Sequence, residues 1–83
     1  MVEVDLHGLT LDEAKEKVLD RIEELNVMDV NQVTIIHGHT SGQQITNWIY
    51  SPALEKELTK IGIALTRRQP VQDNPGATVI VFK

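Results

Sequence analysis

The chain contains no cysteine, and this absence excludes several classes of protein. Such a sequence cannot form a disulfide framework, use a thiolate nucleophile or hold zinc through thiolates, and it is compatible with a reducing compartment. No apolar run approaches the roughly 20 residues of a membrane-spanning helix, and the first residues lack the basic and then apolar layout of a signal peptide. We therefore expect a cytoplasmic protein with no membrane partner.

Basic residues are also scarce. Eight Lys and Arg residues stand against 12 Asp and Glu residues, which gives a net charge of −4. A protein that relies on phosphate contacts usually carries a basic surface, so any binding of nucleic acid must come from a local patch, from partner domains or from a weak affinity. Arg67 and Arg68 are the candidate nucleic-acid contacts, in a patch that could include Lys56, Lys60 and Lys83.

What the sequence does contain is an alternation of strand and helix patterns, which we predict to form a single domain over residues 1–83. Residues 2–7 alternate between apolar and polar, as in a half-buried strand. Thr10 and Glu13 have the spacing of a capping box at the start of a helix that continues through Leu25. Residues 33–36 are β-branched and almost continuously apolar, which favours a strand covered on both faces.

The second half predicts a helix in two pieces. The first piece begins at about Ser41 or Gly42. Ser51 and Pro52 then have the sequence of a cap followed by a first-turn proline, so a second piece begins there and stops at Gly62.

The remaining residues predict a third strand over 63–66, a polar loop over 67–76 and a fourth strand over 77–82. Right-handed crossovers make the first three strands parallel, and the short final connection makes the last strand antiparallel. We therefore expect an α/β two-layer sandwich in β-α-β-α-β-β order with a four-stranded mixed sheet.

The pattern His-Gly-x-Thr occurs twice, at residues 7–10 and 37–40, each time after a predicted strand. In open α/β sheets the carboxyl ends of the strands form the edge where ligands bind. If the first two strands are adjacent, His7, His37 and Asp5 share one cleft, with the two imidazoles within about 10 Å of each other.

These residues also match a known family. Val-Asp-Leu-His-Gly at 4–8 resembles the Leu-Asp-Leu-His-Gly signature of the Smr (small MutS-related) domain. Ile-Ile-His-Gly at 35–38, followed by Gly42, resembles its second signature, His-Gly-x-Gly, and residues 75–82 resemble its glycine-then-strand closure. The resemblance covers essentially the whole chain in the right order.

The resemblance implies a fold like the C-terminal domain of translation initiation factor three and endonuclease activity on DNA or RNA. The residues that take the motif positions are Asp5, His7, Gly8, His37, Gly38 and Gly42. The chain departs from the family at Thr40, where glycine is usual, and His39 occupies a position that is often basic.

Phosphodiester cleavage needs a base, an acid and donors for the charge that develops on the phosphoryl oxygens. Histidine titrates near neutral pH, so we predict catalytic roles for His7 and His37, with Asp5 orienting an imidazole. The predicted phosphate-binding residues are Gly8, Gly38, His39 and Gly42. We predict no metal site. On RNA a 2′-hydroxyl can be the nucleophile, whereas on DNA water must attack and a divalent cofactor, Mg or Mn, becomes more favourable.

Other interpretations stay open at this point. A histidine at a strand end is often only a satisfied hydrogen-bonding residue, and Asp5 could simply accept from nearby N–H groups. Thr40 and the net acidity favour an alternative function, a non-catalytic nucleic-acid or ribosome-binding module. A larger protein or a flanking domain is a further expected partner.

Overall fold

The structure is a computed structural model that describes residues 2–38 and 43–83. The element order is β-α-β-α-α-β-β. The elements are β1 (Glu3–Asp5), α1 (Leu11–Val27), β2 (Gln32–Ile36), α2 (Gln44–Ile49), α3 (Pro52–Lys60), β3 (Leu65–Val71) and β4 (Asn74–Phe82). The α/β class, the four-stranded mixed sheet and the two-piece second helix are as the sequence predicts.

The four strands form one sheet in the order β1-β2-β4-β3. β1 and β2 are parallel neighbours, with Val4 opposite Ile35 and Asp5 opposite Ile36. β4 runs antiparallel to both β2 and β3, so β1, β2 and β3 point the same way, as predicted. Because β1 and β2 are adjacent and parallel, their carboxyl ends meet at one edge of the sheet.

The core lies between the sheet and the helices. Alternate residues of the strands, such as Val4, Ile35 and Ile80, are buried together with one face of each helix. The fully buried helix residues are Ala14, Val18, Ile22, Leu25, Ile49, Leu54 and Leu58. No helix in the described part of the chain is long and apolar enough to cross a membrane.

The caps of α1 follow from local sequence. The Thr10 hydroxyl accepts from the Glu13 N–H at 3.2 Å, and the Glu13 carboxylate accepts from the Thr10 N–H at 2.9 Å. The predicted capping box is therefore present. At the other end Asp29 has a positive φ of 62°, and the Val30 N–H donates to the Leu25 carbonyl at 2.9 Å. This arrangement ends the helix and directs the chain into β2.

The break between α2 and α3 also follows the sequence. The Ser51 hydroxyl accepts from the Ala53 N–H, and Pro52 occupies the first turn of α3. Gly62, with a φ of 80°, ends α3, since the Ile63 N–H donates to the Leu58 carbonyl at 2.9 Å. A left-handed residue at this position is favourable only for glycine and a few polar residues.

The polar loop predicted over 67–76 is wrong. β3 continues to Val71 and β4 begins at Asn74, so a two-residue turn joins the strands, with Asp73 at a φ of 66°. Pro70 had indicated a loop, but β3 is an edge strand, where a residue without an N–H is tolerated. The pairing of β3 with β4 shifts register between Leu65 and Arg67 and again between Pro70 and Val71, as at a β-bulge.

Candidate active site

The two His-Gly turns lie side by side at the carboxyl ends of β1 and β2. The Leu6 N–H donates to the Ile36 carbonyl at 2.9 Å, which extends the β1–β2 pairing as far as the turns. Residues 5–9 and 36–38, together with Ile45, line a common cavity of about 320 Å³. The predicted residues Asp5, His7 and His37 therefore line one cavity, as do Gly8 and Gly38.

The first turn holds His7 at the surface. The Leu9 N–H donates to the Leu6 carbonyl at 3.2 Å, and Gly8 between them has a φ of 78°, which is the pattern of a type II turn. The Asp5 carboxylate accepts from the His7 backbone N–H at 2.9 Å. Asp5 thus fixes the backbone of His7, and the imidazole of His7 remains exposed.

Two further groups at the first turn can face a negatively charged ligand. The Gly8 N–H donates to no group within residues 2–38 and 43–83. The Lys17 ammonium donates to the Asp5 carbonyl at 2.8 Å, so a cation from α1 lies beside the strand that carries the turn, outside the lining of the cavity itself. An unpaired N–H and a nearby cation are both favourable for a phosphate.

The second turn is held against β4. The N–H groups of His37 and Gly38 both donate to the Gly76 carbonyl, at 2.9 and 3.0 Å. Gly38 has a φ of 88°. A Cβ on Gly76 would lie 3.3 Å from the Gly38 carbonyl carbon, so any larger residue at 76 requires the two segments to move apart by a few tenths of an ångström. The Gly38 N–H is therefore already bonded within the protein.

The His37 ring is in a different environment from that of His7. It is 8% exposed, and both of its nitrogens make hydrogen bonds. Nδ1 lies 2.8 Å from the Gly38 carbonyl oxygen, and Nε2 lies 2.8 Å from the Thr78 hydroxyl. The Thr46 hydroxyl is 2.9 Å from Nδ1. These bonds hold the ring in place and leave neither nitrogen unpaired.

The bonds around His37 continue to the surface. The Thr78 hydroxyl is also 2.8 Å from the hydroxyl of Tyr50, whose side chain lies at the junction of α2 and α3 and is 39% exposed. The distances join Tyr50, Thr78 and His37 into one hydrogen-bonded chain. Thr78 is buried and carries the only direct link of this chain to the ring Nε2 within the described residues.

The two arginines proposed as nucleic-acid contacts do not line the cavity. They lie on β3, which is separated from β2 by β4. The Arg68 guanidinium donates to the carbonyls of Ile49 and Ser51, at 2.9 and 2.8 Å, so it ties β3 to the helical layer. Arg67 is exposed and pairs with Val81 on the sheet.

The other predicted phosphate-binding residues, His39 and Gly42, lie outside the described residues, as does Thr40. Within the two described ranges, no group of three or more His, Cys, Asp or Glu side chains could hold a metal ion.

Several residues at the site were missed from the sequence. The sequence does single out Gly76, since this glycine precedes the predicted fourth strand in the segment that resembles the closure of the Smr domain. Thr46, Thr78 and Tyr50 carried no such signal, because their contacts with the second turn depend on the folded sheet. Lys17 carried none either, because its bond to the Asp5 carbonyl depends on how α1 lies beside β1.

Comparison with known proteins gives a family and a fold. The Smr domain model matches residues 4–83. The chain is similar in structure to the Smr domain of Thermus thermophilus MutS2, with a TM-score of 0.77 and 22% sequence identity, over 100% of this chain and 99% of that one. At this identity the likeness concerns the fold. No curated protein sequence gives a significant match.

Proposed function

The chain belongs to the Smr domain family, and from this premise we propose that it is a nucleic-acid endonuclease module. The observation that carries the proposal is the cavity shared by the two His-Gly turns at the carboxyl ends of adjacent parallel strands. Substrates of open α/β sheets bind at this edge. The substrate class is a phosphodiester of RNA or DNA, which the family resemblance implies.

His7 is the proposed catalytic residue, because its imidazole is exposed beside the cavity. During cleavage an oxygen nucleophile attacks phosphorus while the bond from phosphorus to the leaving ribose oxygen breaks. The imidazole either takes the proton of the nucleophile or gives a proton to the leaving oxygen. Asp5 supports this role by holding the His7 backbone N–H at 2.9 Å.

The negative charge that develops on the phosphoryl oxygens needs donors. The Gly8 N–H, which donates to no group in the described part of the chain, is the first such donor, and we propose Lys17 as a nearby cation. His39 and Gly42 remain proposed phosphate contacts on the grounds of the family motif. The Gly38 N–H already donates to Gly76, so we propose that Gly38 shapes the turn.

A resident divalent metal does not fit the described residues, which lack a cluster of three metal-ligating side chains. Asp5 is the carboxylate that lines the cavity, and its Oδ1 already accepts from the His7 N–H. We therefore assign no step to a metal. Dependence on Mg or Mn is measured directly in the assay below.

The test is cleavage of end-labelled single-stranded RNA, duplex DNA and branched DNA, each with and without magnesium or manganese. We expect His7→Ala to lose about 100-fold or more of the rate, the usual range for loss of a general acid or base. Asp5→Asn keeps an oxygen that can accept from the His7 N–H, so it should lose less. Equal cleavage by the wild type and His7→Ala would rule out the proposed role.

Asp20→Asn is the matched control for Asp5→Asn. Asp20 is an exposed carboxylate on α1 that does not line the cavity, so its loss changes the net charge equally and leaves the turns intact. Circular dichroism of each variant checks that the fold is retained. A fall in rate for Asp20→Asn equal to that for Asp5→Asn would assign the effect to overall charge.

A second candidate function is binding without cleavage, as a nucleic-acid or ribosome-recognition module. The observation that favours it is the His37 ring, whose two nitrogens are both bonded within the protein. His7 is then the one exposed imidazole in the described part of the chain. Binding that weakens as salt rises, without turnover of any substrate above, would identify this function.

We further propose that the domain acts in the cytoplasm and together with a larger protein or flanking domain. The lack of cysteine fits a reducing compartment. The net charge of −4 makes a second nucleic-acid-binding surface useful. Fusion to a basic flanking domain should raise the affinity for nucleic acid and leave the preferred substrate unchanged.

A further inference from the structure

We propose that Tyr50 and Thr78 are positioning residues, which act through His37 to set the geometry of the second His-Gly turn. The proposal rests on the proposed function, since the turn forms one side of the proposed site. It assigns to His37 the role of a fixed support for the Gly38 carbonyl. Proton transfer is left to His7.

The direction of each hydrogen bond in this series follows from its last acceptor, the Gly38 carbonyl. A carbonyl oxygen can only accept, so the 2.8 Å contact with the Gly38 oxygen requires a proton on Nδ1 of His37. In the neutral ring Nε2 then carries a lone pair and accepts from the Thr78 hydroxyl. The Thr78 oxygen, having given its only proton, accepts from Tyr50. One tautomer thus satisfies the whole chain.

The Thr46 hydroxyl is consistent with this assignment. It lies 2.9 Å from Nδ1, where its oxygen can share the same N–H. The opposite arrangement, with Thr46 donating to a bare Nδ1, would set the Nδ1 lone pair against the Gly38 oxygen. The network therefore favours one orientation of the ring and one position of the Gly38 carbonyl.

Arg68 holds the other end of the hydrogen-bonded series, at Tyr50. Its guanidinium donates to the carbonyls of Ile49 and Ser51, the two residues that flank Tyr50. The backbone at Tyr50 is thereby held from β3, which lies at the opposite edge of the sheet from β1. The connection runs from β3 through the α2–α3 junction and β4 to the turn after β2. Each hydrogen bond along it is 2.9 Å or shorter.

The first test uses the free protein and needs no activity. Nitrogen-15 NMR of the His37 ring in the neutral state should show the proton on Nδ1. Thr78→Val removes the donor to Nε2 and should shift the Nε2 resonance and the Gly38 amide. Thr78→Ser keeps the hydroxyl and should retain both signals. Tyr50→Phe should shift them in the direction of Thr78→Val, by a smaller amount. A proton on Nε2, or no shift in Thr78→Val, would overturn the proposal.

The second test is the cleavage assay. Thr78→Val should lower kcat by about tenfold with KM within about twofold, because small displacements of a reacting geometry cost rate more than ground-state binding. Tyr50→Phe should lower kcat less, and Thr78→Ser should keep most of it. An unchanged kcat in Thr78→Val would overturn the positioning role. A wild type that cleaves nothing would instead refute the proposed endonuclease function, while the NMR result still decides the network.

Discussion

At the scale of single residues, the two His-Gly turns look alike in sequence but differ in what surrounds them. Both glycines have φ values near 80–90°, so both backbones leave their strands in the same way. The first turn nevertheless leaves its histidine in solvent and its Gly8 N–H without a partner among residues 2–38 and 43–83, whereas both N–H groups of the second turn donate to the Gly76 carbonyl of β4. We therefore propose different roles for the two halves of the site, one chemical and one supporting.

Sequence alone could predict the local features and could not predict this difference. The Thr10–Glu13 capping box is formed by residues three apart, so its pattern is complete in the sequence. The environment of His37 depends on Thr78, 41 residues further on, which reaches the ring only because β4 pairs with β2. The pairing of two imidazoles as acid and base was therefore a reasonable prediction from the motifs, and the structure supplies the reason to give them different roles.

The glycine of the first turn gives a direct prediction. A Cβ at Gly8 would have nothing within 4 Å, so Gly8→Ala adds backbone strain without a steric clash. We expect it to lower the free energy of unfolding by about 1–2 kcal/mol, the usual penalty for a left-handed alanine. Gly8→Asn is the control and should cost less, because asparagine tolerates this conformation. Urea unfolding with an unchanged m-value measures the difference, and an alanine variant as stable as the wild type would contradict it.

At Gly76 the expected effect of an added methyl group is steric, whereas at Gly8 it is backbone strain. An added Cβ would meet the Gly38 backbone at 3.3 Å, so Gly76→Ala should push the second turn away from β4. We expect weaker protection of the His37 and Gly38 amides from hydrogen exchange and a lower rate of cleavage. Gly8→Ala is the matched control, because it should leave these two amides protected. Wild-type protection in Gly76→Ala would show that the turn absorbs the extra methyl group.

At the scale of elements, the sheet shows where sequence patterns mislead. Residues 67–76 contain Pro70, Pro75 and several turn-forming residues, and this composition predicts a loop. In the structure most of the segment belongs to β3 and β4, because an edge strand accepts proline and the turn needs only two residues. Which strand lies at an edge is a property of the assembled sheet. For the same reason the strand order, with β4 between β2 and β3, could not be predicted from the sequence.

The two arginines of β3 should separate into a structural and an exposed residue. Arg68 makes two hydrogen bonds to carbonyls at the α2–α3 junction. A hydrogen bond that involves a charged group contributes about 1.5–3 kcal/mol to stability. We expect Arg68→Met to lower the free energy of unfolding by roughly 2 kcal/mol. Arg67→Met, on the exposed neighbour, should change it by less than about 0.5 kcal/mol. Chemical denaturation of both variants measures the difference, and equal stabilities would contradict the assignment.

At the scale of the whole molecule, the site draws on distant parts of the chain. Residues 5–9 supply the first turn, residues 36–38 the second, and Gly76 and Thr78 hold the second in place. The β1–β2 pairing therefore brings the two turns together, and the β2–β4 pairing holds the second turn in place. An acidic chain that binds a polyanion at such a site has to do so through a few favourable contacts near the turns.

Binding of nucleic acid at such a site should depend only weakly on salt, and a single cation should account for most of that dependence. Lys17 donates to the Asp5 carbonyl beside the first turn, whereas Arg67 lies on β3, beyond β4 from the cavity. Each phosphate contact contributes about 0.7–0.9 to the slope of log K against log salt. We expect Lys17→Ala to weaken binding of single-stranded RNA and to reduce the magnitude of this slope by about 0.7, the contribution of one phosphate contact. Arg67→Ala, which removes the same charge, should leave the slope unchanged. A loss of slope in Arg67→Ala and none in Lys17→Ala would move the binding surface to the β3 edge, where a reaction at the two turns could not use it.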